Sequence, residues 1–182
     1  RRSYEFANIL IRKGFGTPKP IAYFENFGYF SLQDSYYMSE QLEADLTFRQ
    51  LIEIPDYPDH ENILKQFAHF SYRLHEAGVE FIDNTPGNTL IKKTAEGQYA
   101  FYLVDLNRMQ FHNSMNFTQR VSNLAKLTPE MRLVEVISNE YAKLYGKTRE
   151  EMLSAMVKYT QYFRNRYYRK KAIKRKLGLT KK

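Results

Sequence analysis

The chain has 182 residues, 43% of them hydrophobic, which is enough for one ordinary domain with a real core or a domain with a small appendage. It has no cysteine, which excludes disulfides, thiolate metal sites and a cysteine nucleophile and fits a reducing compartment; no long apolar run or charged-then-apolar leader points to a spanning helix or a signal peptide. The net charge of +8 is segregated: from Arg164 onward there are ten Lys or Arg and no Asp or Glu, so residues 1–163 are slightly acidic.

Fifteen Tyr and 13 Phe, with no Trp, supply much of the expected core. The chain opens without Met and in mid-pattern, RRSYEFANILIRKG, as an amphipathic helix already under way, so upstream sequence is expected. Residues 3–13 place Phe6, Ile9 and Leu10 at helical spacing and stop at KGFGTPKP. Two β-rich runs follow, Ile21 to Phe24 and Ser35 to Met38, predicted as antiparallel neighbours. DLTFRQLIEI is a short amphipathic helix ended by PDYP. Asp59 is the expected cap of a longer helix with Ile63, Phe67, Phe70 and Leu74 as its buried stripe and Gly78 as its stop.

FIDNTPGNTLI comes next, and its Asn, Pro and Gly by themselves read as an ordinary turn. NTLIKK and YAFYLVDL predict a hairpin around TAEGQ, followed by an irregular NRMQFHNSMN. Three helices close the chain: one with Phe117, Val121 and Leu124 on one face, one with Val134, Ile137, Tyr141 and Leu144, and one with Leu153, Met156, Thr160, Phe163 and Tyr167. There is no internal repeat and no low-complexity linker.

A hairpin brings its two ends together. Asn88 at the start of one strand and Asp105 at the end of its partner are therefore expected as near neighbours, with Asp83 in the loop leading in. An Asp and an Asn oxygen, supplemented by phosphate oxygens and water, suit Mg²⁺, which seldom has an all-protein cage. A separate carboxylate beside them can accept a proton from an attacking hydroxyl.

LHEAGVEFIDNTPGNTLI followed by FYLVDLNR resembles the catalytic loop and metal-binding segment of the protein-kinase-like fold. It is most similar to the bacterial lipopolysaccharide core kinase family, which phosphorylates heptose or Kdo sugars of the inner core. In that family LHxAG leads to a D-x-x-x-x-N loop and then to an apolar strand ending in Asp. The resemblance runs from residue 3 to about residue 127 and implies an α+β, protein-kinase-like fold, mainly the helical large lobe. Residues 1–41 would be a remnant of the small lobe and hinge, 42–163 the large lobe with the catalytic loop, and 164–182 a basic helix end and tail.

Carried over residue by residue, the resemblance makes Asp83 the catalytic base and gives Mg²⁺ to Asn88 and Asp105. Leu90 would lie under the adenine of ATP, and the backbone near Ser39, Glu40 and Gln41 would meet its edge. Glu5 resembles the helix-borne glutamate that pairs with the ATP-binding lysine. Three departures stand out. Phe81 occupies the place of an organising His two residues before the Asp. DLN at 105–107 lacks the Gly of protein kinases, which fits small-molecule kinase relatives. The Gly-rich loop and the lysine should precede Glu5, and the G-x-G of IRKGFGTPKP follows a helix and leads to prolines, the wrong context for that loop. A truncated chain is the expectation, since a lone helix and strand pair leaves its apolar face uncovered.

The function implied is ATP- and Mg²⁺-dependent phosphorylation of a sugar hydroxyl on a lipopolysaccharide-core or other glycan acceptor, in the cytoplasm. The basic tail would hold the enzyme to an anionic membrane face or a phosphorylated glycolipid. The alternatives are a pseudokinase-like binding or scaffold protein and a kinase of another small molecule. Nucleic acid is disfavoured, because the aromatics sit at core spacing rather than as stacking platforms.

Overall fold

The opening helix, α1 (Arg2–Arg12), buries Ala7 and Leu10 and ends where Gly14 takes φ +79, a conformation glycine reaches without a Cβ penalty. These coordinates are a computed structural model, which describes residues 1–28 and 31–177. Of the tail expected over 164–182, residues 178–182 lie outside the described residues. Strands β1 (Pro20–Phe27) and β2 (Leu32–Ser39) pair antiparallel with Tyr23 opposite Tyr37, longer than the two predicted runs but in the predicted arrangement. Ile21, Phe24, Phe27, Tyr36 and Met38 are exposed on this hairpin, the uncovered apolar surface expected of an isolated strand pair.

The body begins with β3 (Leu46–Thr47) and α2 (Phe48–Glu53), joined by a reciprocal capping box in which Thr47 and Gln50 satisfy each other's backbone N–H groups. Helix α3 (His60–Glu76) buries Ile63, Phe67, Phe70 and Leu74 as the spacing predicts. Asp59 stands at its N-terminus but does not cap it. At φ +63 its backbone is left-handed, and its carboxylate instead accepts from Asn62 Nδ2 at 2.8 Å.

After α3 the chain forms β4 (Val79–Phe81), a single 3-10 turn (Pro86–Asn88), β5 (Thr89–Ala95), β6 (Gln98–Leu103) and β7 (Met109–Phe111). β5 and β6 are the expected hairpin, extended by β3 into a three-stranded antiparallel sheet. Asn62 and Gln66 of α3 both donate to the Gly97 carbonyl and so pin the hairpin tip to the helix. The segment expected to be irregular contains β7, which pairs antiparallel with β4, Phe81 opposite Met109. The G-x-G segment serves packing: Gly16 bridges to Tyr102, its carbonyl accepts from Leu103 N at 2.9 Å, and a Cβ there would collide with the Phe101 carbonyl.

Helices α4 (Phe117–Leu124), α5 (Met131–Tyr145) and α6 (Arg149–Lys176) complete the body. One core joins α3, α4, α5, the first half of α6 and the inner face of the hairpin, with Phe67, Phe81, Ile91, Leu124 and Tyr141 each at most 2% exposed. The buried stripe of α6 stops at Phe163. Tyr167, expected to continue it, is 62% exposed, because from Arg164 on every described residue of the helix is exposed. Among the described residues no helix is long and apolar enough to cross a membrane.

Candidate active site

Residues 81–88 follow a buried strand and precede a buried strand, so both ends of the loop are fixed while its middle reaches the surface. Local bonds shape it: Asn84 N donates to Phe81 O at 3.2 Å and Asn88 N to Thr85 O at 3.0 Å. The side chain of Asn88 closes it by donating Nδ2 to the Asp83 carbonyl at 3.0 Å, which ties the two ends of the D-x-x-x-x-N spacing together. On the far side Val104 N donates to Asn88 O at 3.0 Å, extending the Thr89–Leu103 pairing by one step and delivering Asp105 beside Asn88. Asp105 has φ +56, a left-handed conformation that turns the chain sharply out of β6.

The Asp83 carboxylate is about a quarter exposed and accepts from Arg108 Nη1 at 3.0 Å. Arg108 is placed by the backbone, its carbonyl accepting from Ile82 N at 3.0 Å as the β4–β7 pairing continues. Beneath the loop lies a buried polar chain. Asn123 Nδ2 donates to the Phe81 carbonyl at 2.7 Å, Asn84 Nδ2 donates to the Asn123 carbonyl at 3.0 Å, and His75 Nε2 meets Asn123 Oδ1 at 3.1 Å. His75 Nδ1 meets the Tyr141 hydroxyl at 2.8 Å. Because Asn123 Oδ1 can only accept, His75 must carry its proton on Nε2 and take the Tyr141 O–H at Nδ1. Burial, the dominant cause, pulls the His75 pKa down to about 4, so the ring is neutral, and burial likewise raises that of Tyr141.

The departure at Phe81 thus has a structural answer. Its ring is 1% exposed and fills the core, while its carbonyl is gripped by the Asn123–His75 pair. His75 lies within the quoted LHEAG motif and Arg108 within DLNR, yet neither was assigned a role from sequence. Asn123 carried no signal beyond being a polar residue among apolar ones.

A cleft of about 380 Å³ opens at Asp105, lined among others by Thr17, Pro18, Tyr37, Ser39 and Asn107. It lies between the β1–β2 hairpin and the end of β6. Thr17 Oγ1 donates to the Leu103 carbonyl at 2.8 Å, fastening its floor. Of the residues expected to contact ATP, Ser39 lines this cleft. Glu40 is drawn to Lys19, to whose carbonyl it donates its N–H at 2.9 Å and whose Nζ lies 3.3 Å from its carboxylate. Gln41 is exposed and does not line the cleft. Leu90 is half-buried opposite Tyr102, on the hairpin face away from Thr89 and Ile91, and outside the cleft lining. Glu5 accepts from Arg1 Nε at 2.8 Å; Arg1 lines the cleft and Glu5 does not. The structure therefore gathers Asp83, Asn88 and Asp105 about one loop, with Ser39 across the cleft, and leaves Glu5, Glu40, Gln41 and Leu90 at its margins.

The donor set at Asn88 and Asp105 suits a hard cation. Asn88 spends its Nδ2 on Asp83, which leaves Oδ1 to coordinate, and Asp105 accepts from Asn107 Nδ2 at Oδ1 only, which leaves Oδ2. Among the described residues no cluster of three or more His, Cys, Asp or Glu forms a metal cage, so these two oxygens would need phosphate and water to complete six-fold coordination.

A helical lobe, a D-x-x-x-x-N loop closed by its own asparagine and an Asp at the following strand end define a kinase of the protein-kinase-like fold. The model of the lipopolysaccharide kinase (Kdo/WaaP) family matches residues 2–147, and the chain belongs to that family. Among solved structures it is similar to WaaP in complex with acyl carrier protein, with a TM-score of 0.66 and 17% identity over 93% of this chain and 75% of that one. That likeness establishes the fold. No curated protein matches the chain.

Proposed function

We propose that this kinase transfers phosphate from ATP to a hydroxyl of a lipopolysaccharide-core sugar, with Asp83 as the group that takes the hydroxyl's proton. The carrying observation is the pair of bonds from Asn88 Nδ2 to the Asp83 carbonyl and from Val104 N to the Asn88 carbonyl, which ties the loop of the partly exposed Asp83 to the strand end where Asp105 lines the cleft. Asp83 orients the attacking oxygen and accepts its proton as the new O–P bond forms and the bond to the β-phosphate breaks. Arg108 holds that carboxylate in place through one of its oxygens and leaves the other for the acceptor. Asn88 and Asp105 are the residues that would hold Mg²⁺, which supplies charge neutralisation on the phosphoryl oxygens when bound. Ser39 and the backbone leading to Gln41 are the candidate contacts for the adenine edge, and Leu90 for its face. Glu5 stands as the candidate phosphate-lysine partner on α1.

The exposed basic half of α6, with eight Lys or Arg between Arg164 and Lys176, supports peripheral attachment to an anionic membrane face on the cytoplasmic side. The acceptor reading is tested by incubating the full chain with ATP, Mg²⁺ and either dephosphorylated core oligosaccharide or a panel of small alcohols. Phosphate should appear on the oligosaccharide. Phosphate on a small alcohol alone would assign a different acceptor, and ATP binding without transfer to any acceptor would favour a pseudokinase-like scaffold.

A further inference from the structure

A second cavity, of about 540 Å³, lies on the other flank of the catalytic loop and is walled by Ile82, Phe163 and four cations, Arg108, Lys126, Arg166 and Lys170. No acidic residue lines it, and it shares no lining residue with the cleft at Asp105. The four charges come from three separate parts of the chain: Arg108 precedes β7, Lys126 follows α4, and Arg166 and Lys170 stand four residues apart on one face of α6. Convergence of this kind from distant segments is a built feature, unlike a run of neighbours on a solvated helix.

The cations are only partly compensated. Arg108 spends one nitrogen on Asp83, and among the described residues neither Arg166 nor Lys170 has an ion-pair partner. Lys126 is fixed, its Nζ donating to the Ile82 carbonyl at 3.2 Å and lying 5.7 Å from the centre of the Phe163 ring. Burial lowers its pKa against the opposing pull of the Glu80 and Asp83 carboxylates, and Arg108 and Arg166 add smaller contributions to the fall. Like charges held together in this way repel one another, and an anion placed between them removes that cost. The cavity also touches the chemistry, since Arg108 grips the Asp83 carboxylate and Lys126 the residue next to it in the chain. Its volume exceeds that of a bare phosphate and leaves room for a sugar ring against the aromatic wall.

We infer that this cavity is an acceptor subsite, which seats a phosphate or carboxylate already carried by the acceptor glycan and thereby aligns the neighbouring hydroxyl at Asp83. The inference rests on the reading of Asp83 as proton acceptor, but its binding test does not. Isotope-labelled full chain is titrated with glucose 1-phosphate, with glucose, and with phosphatidylglycerol vesicles, following the amide signals of Lys126 and Arg166. Glucose 1-phosphate should shift these signals, glucose should not, and the exposed double variant Arg166→Gln with Lys170→Gln should bind the sugar phosphate about tenfold more weakly, as loss of charge-assisted contacts requires. Asp83→Asn, which frees Arg108, should bind glucose 1-phosphate at least as tightly as the unaltered protein does, while a flat titration of the unaltered protein removes the subsite and leaves the catalytic reading standing. The inference is overturned if the double variant binds glucose 1-phosphate unchanged. It is equally overturned if only the vesicles shift the signals, since the cavity would then serve a lipid headgroup.

Discussion

His75 Nε2 lies 3.1 Å from Asn123 Oδ1, and through this contact α3 and α4 jointly hold the loop that carries Asp83. Asn123 is the centre of the arrangement. Its amide nitrogen supports the Phe81 carbonyl, and its carbonyl oxygen receives Asn84, so both ends of the Phe81–Asn84 bend are fixed to one residue.

Replacing Asn123 with Ala leaves the buried His75 Nε2–H without a partner and the Phe81 carbonyl with only its 3.2 Å bond from Asn84 N. Each lost partner costs about 1–3 kcal/mol when the remaining group stays buried. Chemical denaturation should show a loss in that range, and phosphate transfer should fall through kcat more than through the KM for ATP. A variant equal to the parent in both respects would show that the loop holds its shape without Asn123.

The pH dependence follows from the same histidine. Its folded pKa, about 4, lies below the ordinary value of 6.5, so between these values the unfolded chain binds a proton that the folded chain does not. Stability is therefore full above pH 6.5 and declines as the pH falls towards 4, by about 3 kcal/mol in all for a shift of this size. Urea midpoints measured across this range should fall with acidification, and His75→Gln should flatten the dependence.

Gly78, just before β4, has no room for a side chain. Its φ is +71, and a Cβ would run into the His112 carbonyl, while its own carbonyl accepts from His112 N at 2.7 Å. Gly78→Ala should cost more than the ~1 kcal/mol typical of a strained left-handed alanine, because the β4–β7 pairing must also shift. Thermal unfolding of the variant measures this directly. Retention of the parent midpoint would mean that the pairing yields without cost.

Arg108 and Asp83 form a largely exposed pair, the arginine side chain 66% accessible, so its contribution to stability is small. Its contribution to chemistry should be larger. Arg108→Met frees the carboxylate to rotate away from the acceptor, and turnover should fall while the unfolding midpoint moves little.

The longer elements were legible in the sequence because their apolar pattern extends far enough to be read, as in the stripe of α3, or because two short β-rich runs flank a turn, as TAEGQ does between β5 and β6. β3, β4 and β7 have two or three residues each and show no period, so their pairings emerge only in three dimensions. For the candidate site, Asp83, Asn88 and Asp105 could be grouped because a hairpin closes on itself. The His75–Asn123 contact spans 48 residues and has no local signature. Arg108 stood in a recognised motif, but its partner depends on the β4–β7 register. Asp59 shows the converse case, a residue with the right identity at a helix start whose left-handed backbone turns its carboxylate to another partner.

The most direct test of the central claim is single-turnover phosphate transfer by Asp83→Asn in the full chain, with ATP binding measured in parallel. ATP affinity should stay close to that of the parent while the transfer rate falls by about 10²-fold or more, the range attached to loss of a positioned general base. Transfer at the parental rate would contradict that claim and would remove Asp83 from the chemistry.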